Sequence, residues 1–256
     1  MKNTLKTIII ALLIIIVIGA VILYIINNKK SGIKIENKGD TITEVKEPIR
    51  MCYYRADKTD RGFYDVAWLK LSILGEKITG EFHNLPAEKD SKVGDFEGTV
   101  GPLDQAVMAR HATVWWNSRA EGMEFKEELA IQFGDGSATV GFGEMIDSLL
   151  GDGVYLYKDK TNLYWIPSMN QIDCEYLDEK ITVEQYVKDN IVTIATNKPV
   201  LGGTWYAIIT NVNSATKTGE VTYEDGHIQS KANFTYTYEK DSQKIIITKF
   251  EVKNKG

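Results

Sequence analysis

An apolar run from Ile8 to Ile26 is the feature that most limits what this chain can form, because its nineteen residues carry no charge. At a helical rise of about 1.5 Å per residue, such a run reaches roughly 28 Å, close to the ~30 Å hydrocarbon core of a bilayer. In lipid, a single segment can satisfy its backbone hydrogen bonds only as a helix. The sequence therefore predicts a transmembrane helix within residues 1–30.

This run has the properties of an uncleaved signal anchor. It is longer than the apolar core of about 7–15 residues found in cleaved signal peptides, and lysines follow it where a small-residue cleavage site would be needed. A lipid-modified cysteine would have to come directly after the run, whereas Cys52 lies far downstream. The membrane is thus a predicted partner through Ile8–Ile26, and polar residues 31–49 are predicted to form a flexible linker.

The orientation of the anchor rests on two opposing arguments. More lysines follow the run than precede it, and by the positive-inside rule this count would leave the following domain in the cytoplasm. The very short N-terminal tail and a β-rich domain with two cysteines favour the opposite side. We predict a single-pass protein of the cell membrane with its main domain outside the cytoplasm.

Composition argues against nucleic acid as a partner. The chain has a formal net charge of -5, and the domain after the linker contains no cluster of Lys and Arg that could bind phosphates. No Gly-rich phosphate loop, nucleophile elbow or HExxH motif is present in the sequence. The sequence therefore predicts no cofactor.

Alternation of apolar and polar residues dominates the chain after residue 50. Tyr64–Leu74 is a clear example, and Gln105–Asn117 places Val107 and Trp115 on one predicted face. Glycine-containing turns such as residues 134–136 separate about a dozen such segments. The predicted fold class is mainly β, an antiparallel barrel or sandwich of calycin-like type that includes one amphipathic helix.

The helix is predicted where the alternation stops. Thr182 and Gln185 form a capping box, and apolar residues recur at helical spacing as far as Ala195. The predicted organisation is a barrel-like β domain over residues 50–180, a helix over 181–197 and a C-terminal antiparallel meander over 198–256, packed on the same body.

Two segments echo each other in sequence. Thr79-Gly80-Glu81 follows Trp68 and precedes Phe96, and a second Thr-Gly-Glu at residues 218–220 lies between Trp205 and Phe234 at nearly the same spacings. Two related half-barrels would produce this pattern, and so would chance recurrence of residues that favour strands.

The two cysteines, Cys52 and Cys174, are predicted to form a disulfide if the domain faces an oxidising compartment. The alternative is two buried thiols that never meet. Neither cysteine has CxxC spacing or neighbouring histidines, so the sequence predicts no metal site at either.

Several segments resemble a family of membrane-anchored or lipoprotein-like bacterial envelope proteins without an assigned activity. The resemblance is carried by the segments at residues 52–54 (CYY), 59–65 (TDRGFYD), 85–94 (LPAEKDSKVG), 96–101 (FEGTVG) and 140–145 (VGFGEM). It implies an envelope location, with the spanning helix in place of the lipid on cysteine that holds many such proteins, and it implies no particular chemistry.

Aromatic residues are the leading candidates for ligand binding, namely Tyr54, Trp68, Trp115 and Trp116. The adjacent tryptophans would face opposite sides of a strand, so that one lies in the core and the other is exposed or in a barrel mouth. An exposed tryptophan above a concave sheet suits a glycan or an apolar ligand. The alternative for all four is structural packing.

Carboxylates provide the alternative chemistry. Two acidic loops, Asp57–Asp65 and Glu88–Asp95, could hold Ca²⁺ or supply the acid and base of a glycosidase if they met at one rim. The three histidines, at positions 83, 111 and 227, lack the spacing of a zinc site.

The leading hypothesis is a non-catalytic, membrane-anchored module that binds an envelope glycan, lipid or protein at a barrel surface or mouth. A carboxylate-dependent envelope hydrolase is the first alternative. The second is an inhibitor or assembly partner that acts through a loop such as Leu85–Ser91.

Overall fold

The computed structural model describes residues 47–149 and 153–253. The predicted transmembrane helix and most of the predicted linker lie outside these residues. Within the described ranges, no helix combines the length and the apolar character needed to cross a membrane.

Fifteen strands and one helix make up the described part of the chain. The first eleven strands are β1 (Ile49–Lys58), β2 (Tyr64–Leu74), β3 (Lys77–Leu85), β4 (Lys92–Asp104), β5 (Ala109–Ala120), β6 (Met123–Gly134), β7 (Ser137–Phe142), β8 (Met145–Asp147), β9 (Val154–Tyr157), β10 (Tyr164–Trp165) and β11 (Met169–Ile172). Helix α1 (Cys174–Ile194) is followed by β12 (Tyr206–Asn213), β13 (Thr218–Glu224), β14 (Gln229–Glu239) and β15 (Lys244–Lys253).

Eight strands close into an antiparallel barrel. Strands β1 to β7 pair in sequence order, β11 pairs with β7, and β11 also pairs with β1, which completes the ring. Short strands β9 and β10 pair with β6 and β7 respectively, and β8 pairs with β9. The predicted barrel is therefore confirmed, and the sandwich alternative is wrong for this part of the chain.

The barrel interior is filled by the inward residues of each strand. On β2 the predicted alternation is confirmed, since Leu69, Leu71 and Ile73 are buried inside the barrel. Trp116, Phe82 and Phe142 pack against one another there, with ring centroids 5.2 to 6.5 Å apart. The interior is thus a packed core in which aromatic rings supply much of the volume.

The β5 segment differs from the prediction. Val107 lies in the turn before the strand, and β5 begins at Ala109, so Val107 does not share a strand face with Trp115. Strand β1 is not predicted at all, because residues on both of its faces are buried and the chain shows no clean alternation there.

Strands β12 to β15 form a separate, open four-stranded meander. One face of this sheet packs against α1 through Val183, Val187 and Ile191, which meet Val221 and Phe234 of the sheet in one apolar cluster. We call this unit the helix–sheet lobe. Because these strands do not join the barrel, the echo in the sequence does not reflect two half-barrels.

Helix α1 begins eight residues before the predicted start at Thr182. Asp173 caps it, with its Oδ1 accepting hydrogen bonds from the amides of Glu175 (2.7 Å) and Tyr176 (3.4 Å). Thr182 lies inside the helix, where its hydroxyl donates to the carbonyl of Asp178. The capping-box prediction is therefore wrong. The first two turns are rich in charged residues, and they lack an apolar stripe that would predict a helix, because ion pairs hold several of their side chains.

A disulfide joins the barrel to α1. Cys52 on the outer face of β1 is bonded to Cys174, the first residue of the helix, with a Cα–Cα distance of 5.2 Å. Trp68 and Leu177 are buried beside this bridge. The predicted pairing is confirmed, and the predicted alternative of two separate thiols is wrong.

Candidate functional site

Trp115 and Trp116 face opposite sides of β5, as predicted. Trp116 is fully buried in the barrel, and its indole Nε1 donates to the carbonyl of Gly94 at 3.0 Å. Trp115 points outward with 36% of its surface exposed, and the Lys126 ammonium lies 5.9 Å from its ring centroid. Trp116 is therefore a core residue, while Trp115 lies on the outer wall of the barrel.

Trp68 is buried on the outer wall of the barrel, beneath α1. Its ring stacks on His83 of β3 with 3.7 Å between centroids. Burial lowers the pKa of His83 to about 4, and the nearby positive charges of Lys70 and Arg119 act in the same direction. The stack is thus a packed contact between a tryptophan and a neutral imidazole.

Tyr54 lines a groove of about 250 Å³ between the barrel and the helix–sheet lobe. We call it the wall groove. One side is formed by β1, β2 and the loop after β3, and the other by α1 and β12. Its lining residues are Tyr54, Ala56, Phe63, Tyr64, Val66, Leu85, Pro86, Ala87, Glu184, Lys188, Ile208, Ile209, Thr210 and Asn211.

A network of charged and polar groups fixes the helix side of the wall groove. The Lys180 ammonium lies 2.7 Å from a Glu184 carboxylate oxygen, donates to the Val212 carbonyl at 2.6 Å, and lies 4.9 Å from the centroid of the Tyr54 ring. The same Glu184 carboxylate accepts the amide of Val212 at 3.0 Å. These contacts hold α1, β12 and Tyr54 in fixed relative positions.

The Tyr54 hydroxyl is in an apolar and negatively charged environment. Burial raises the pKa of Tyr54 above its ordinary value, and the neighbouring Glu184 and Tyr64 raise it further. Tyr54 is therefore a neutral phenol at physiological pH, able to donate a hydrogen bond to a ligand in the groove.

The Thr210 hydroxyl distinguishes the wall groove from the rest of the surface by its hydrogen bonding. Among the described residues, buried side-chain atoms without a hydrogen-bond partner occur only on Thr210 and Arg55. A buried hydroxyl without a partner costs about 1–3 kcal/mol, so such groups are rare in folded proteins. Thr210 lies in the lining of the groove, where a ligand could supply the partner.

Arg55, the second residue with such atoms, follows Tyr54 on β1 near one end of the barrel. Strand pairing places Arg55, Ala67, Asn84 and Lys92 side by side across β1 to β4. Only Asp57 is paired with the Arg55 guanidinium, at 3.3 Å. Lys92 forms an ion pair with Glu127 at 2.5 Å, so charge at this end is locally compensated.

The two acidic loops do meet at this same end of the barrel. Arg61 forms an ion pair with Glu88 at 3.0 Å, and Asp65 accepts the amide of Ala87 at 2.8 Å. These carboxylates therefore hold the loops together. Within residues 47–149 and 153–253, no group of three or more His, Cys, Asp or Glu side chains is arranged to hold a metal ion.

Two larger depressions lie on open strand faces. One of about 500 Å³ covers the outer face of the helix–sheet lobe and is lined by polar residues such as Asn213, Glu220 and Asn233. Another of about 760 Å³ lies on the barrel wall near His83 and Arg119. Neither contains a buried polar atom without a partner, so the wall groove remains the better candidate site within the described residues.

Comparison with known proteins adds no relative to this picture. No family model, curated protein or solved structure matches the chain. The candidate site therefore rests on geometry and chemistry alone.

Of the four predicted aromatic residues, the structure places one, Tyr54, in the wall groove. The residues that complete it, Glu184, Lys188 and Thr210, were missed, because nothing in their local sequence relates them to β1. The predicted disulfide is the sequence feature that points to these missed residues. A bond from Cys52 to Cys174 brings the start of α1 against β1 and thereby brings β12 near the same strand.

Proposed function

We propose that this chain is a membrane-anchored binding module whose ligand occupies the wall groove. The observation that carries this proposal is that the groove lining includes Thr210, whose hydroxyl is buried without a hydrogen-bond partner. A ligand that bonded to it would remove the cost of leaving that hydroxyl unpaired.

The lining defines the ligand class. Val66, Leu85 and Ile209 provide apolar contact, while Tyr54 and Thr210 provide hydroxyls. The groove is smaller than the ~300–1,000 Å³ of typical sites for drug-sized ligands. It therefore suits one small amphipathic group carried by a larger molecule, such as a sugar ring of a glycan, part of a lipid or a side chain of a protein.

The charged residues of the groove lining narrow the class of ligand further. Glu184 is already paired with Lys180, whereas Lys188 is exposed on the next turn of the helix and contributes to the groove lining. A group with a negatively charged substituent directed toward Lys188 would gain attraction without displacing an internal ion pair.

Two features support an extracytoplasmic location. The disulfide between Cys52 and Cys174 requires an oxidising compartment to form and persist. The apolar run Ile8–Ile26 supplies the proposed anchor. The up-and-down order of the eight barrel strands supports the likeness to calycins, a class that includes small-ligand binders.

The observed loop contacts favour binding over hydrolysis. Asp65 and Glu88, one from each acidic loop, are used to hold the loops together. Leu85, Pro86 and Ala87 form part of the groove wall, so this loop acts here as a lining element and not as a protruding inhibitory arm.

The proposed binding site can be tested by filling the wall groove with a larger side chain. Ala56 is half-buried in the lining, and Ala56→Phe should weaken binding of the amphipathic anionic dye 1-anilinonaphthalene-8-sulfonate at least tenfold, measured by fluorescence titration of the full chain. The matched control is Ala215→Phe in the exposed β12–β13 turn, which should bind like the wild type.

Equal dye affinity in the wild type and Ala56→Phe would exclude the groove as the site. Hydrolysis of envelope glycans or lipids by the purified chain would overturn the non-catalytic part of the proposal.

A further inference from the structure

Exposed apolar side chains are concentrated at one end of the barrel. Each of five residues there has between 49% and 64% of its surface exposed: Ile49, Leu74, Leu103, Val107 and Met108. We call this set the apolar rim. Solvent-exposed apolar residues are common singly, whereas several at one end of a molecule indicate a contact surface.

Strand pairing places all five at the same end. Ile49 pairs with Ile73, one residue before Leu74, at the β2–β3 turn. Leu103 pairs with Arg110 at the β4–β5 turn, which contains Val107 and Met108. The amide of Val100 bonds to the carbonyl of Glu76, and this bond ties the β4–β5 hairpin to the β2–β3 turn.

The described chain begins at this same end. Glu47 and Pro48 lead directly into Ile49, the first residue of β1. Twenty residues, 27–46, lie between the apolar run Ile8–Ile26 and Glu47. The covalent connection to the proposed anchor therefore joins the described domain at this end.

Charge at the rim is nearly balanced. Charged residues flank the apolar side chains at the start of β1 and around the three turns of this end: Glu47, Arg50, Glu76, Lys77, Asp104, Arg110 and Asp135. Four of these seven are acidic, so the rim has no basic surface to attract anionic headgroups. Contact with a bilayer would depend on apolar burial, and neutral lipid would suffice.

We infer that the apolar rim rests on the lipid bilayer that holds the anchor, with Val107 and Met108 inserted at the headgroup boundary. This inference depends on the anchoring part of the proposed function, but not on the wall groove. The occupant is a phospholipid surface, because the tether enters at this end and the exposed side chains are aliphatic.

Two native methionines provide the test without a reporter mutation. Met108 is 64% exposed at the rim, and Met123 is 54% exposed at the β5–β6 turn. They lie at opposite ends of β5, about 40 Å apart along the strand. Met169, fully buried in the barrel, reports on the integrity of the fold.

The experiment uses full-length chain carrying ¹³C-methyl methionine in phosphatidylcholine nanodiscs, with and without lipid that bears a headgroup spin label. The Met108 methyl signal should lose at least three times the intensity that Met123 loses. A soluble gadolinium chelate should produce the opposite order. Signals are assigned with Met108→Leu and Met123→Leu.

Each alternative result overturns the inference in a different way. Equal broadening of Met108 and Met123 in chain that co-elutes with nanodiscs excludes the rim contact and leaves the anchor intact. Chain that does not co-elute with nanodiscs overturns the anchor and the rim together. A Met108 methyl protected from the chelate but not broadened by labelled lipid would show a contact between copies of the chain.

A variant pair adds a second measurement. Val107→Asp should abolish the excess broadening of Met108, because a carboxylate at the tip opposes insertion. Ile146→Asp, on the barrel wall beside the middle of β6 and 44% exposed, should leave it unchanged. An unchanged Met169 signal in both variants shows that the barrel is intact, and persistence of the excess in Val107→Asp would overturn the inference.

Discussion

The barrel and the helix–sheet lobe use the same residue pair in different surroundings. Gly80 on β3 lies directly across from Phe96 on β4, and Gly219 on β13 lies directly across from Phe234 on β14. Each glycine lies in a Thr-Gly-Glu sequence, and both phenylalanines have 2% of their surface exposed. In both places the aromatic ring covers a strand glycine, an arrangement known to rescue such positions.

The two sites differ in what surrounds the glycine. A Cβ added at Gly80 would overlap the backbone carbonyl of Lys70 as well as the Phe96 ring, whereas at Gly219 the three nearest atoms all belong to the Phe234 ring. At Gly80 the backbone of the neighbouring strand β2 blocks the position as well as a ring, whereas at Gly219 the nearest atoms all belong to a side chain that can shift. The same local pattern is thus less tolerant of change at Gly80 than at Gly219.

The largest expected effect comes from cutting the link between the two regions. Replacing Cys52 and Cys174 by serine should lower the free energy of unfolding by up to about 5 kcal/mol, because the bridge closes a loop of over 120 residues. The helix–sheet lobe should then unfold before the barrel, since one helix and an open sheet lack the closure of the ring.

Thermal unfolding followed by calorimetry and by tryptophan fluorescence checks this. The single variants Cys52→Ser and Cys174→Ser should show the same unfolding transitions as the double variant, and so should the reduced wild type. An unchanged single transition in all of them would show that packing alone joins the two regions.

The next effect compares the two glycines directly. Gly80→Ala should cost about 3 kcal/mol or more, because the new methyl group meets backbone that cannot move. Gly219→Ala should cost about 1–2 kcal/mol, because the Phe234 ring can shift. Urea unfolding of the two variants gives both values.

Double variants sharpen the comparison. Phe234→Leu should recover part of the stability lost in Gly219→Ala, whereas Phe96→Leu should recover almost none of that lost in Gly80→Ala. Equal recovery at both sites would mean that the β2 backbone does not block a side chain at Gly80.

A smaller effect distinguishes the barrel from the helix–sheet lobe by the pH dependence of stability. The folded pKa of His83 is lowered from 6.5 to about 4, so between these values the unfolded chain binds a proton at His83 that the folded chain does not. His83 therefore contributes full stability above pH 6.5, and that contribution is lost as the pH falls toward 4. Because part of the ring contacts solvent, the loss should be about 1 kcal/mol.

This effect is isolated by measuring the free energy of unfolding as a function of pH in the wild type and in His83→Gln. The exposed His111→Gln is the control. Trp68 stacks on His83, whereas Trp205 packs edge-on against Tyr223. With ¹⁹F-labelled tryptophan, Trp68 should therefore shift near the folded pKa and Trp205 should not. A shift of Trp205 alone would contradict the assignment.

The smallest effect concerns two threonines. Thr139 donates to the carbonyl of Ile166 at 2.6 Å, so Thr139→Val should cost about 1 kcal/mol. Thr210→Val removes a buried hydroxyl without a partner and should leave stability equal or raise it by about 1 kcal/mol, while it weakens dye binding in the wall groove. A clear loss of stability in Thr210→Val would show that this hydroxyl is bonded in solution.

Sequence periodicity located β2 at its observed bounds, Tyr64–Leu74, because the inward residues Leu69, Leu71 and Ile73 alternate with Lys70 and Ser72. It failed at β1, whose outer face is covered by α1, and at the start of α1, where Asp178 pairs with Lys70 and Glu179 pairs with Lys217. Both failures arise from tertiary contacts that no local pattern records.

The candidate site was less accessible to prediction than the fold. Tyr54 was identified for its aromatic character, but Trp68 and Trp116 have the same character and are buried in packing contacts. A single sequence distinguishes poorly between an aromatic residue in a core and one in a groove. The proximity of β1 and β12 decides the matter, and the sequence signal for it is the pairing of Cys52 with Cys174.

Strand β1 also determines how the molecule would bear a mechanical load. It starts at the end that the proposed tether would join, carries the bridged Cys52 and contributes Tyr54 and Ala56 to the groove. A pull between a membrane and an immobilised ligand would act along this strand. Its ten register pairs with β2 would then be sheared together instead of opened one by one. Such a geometry suits a tether that must keep hold of its target under tension.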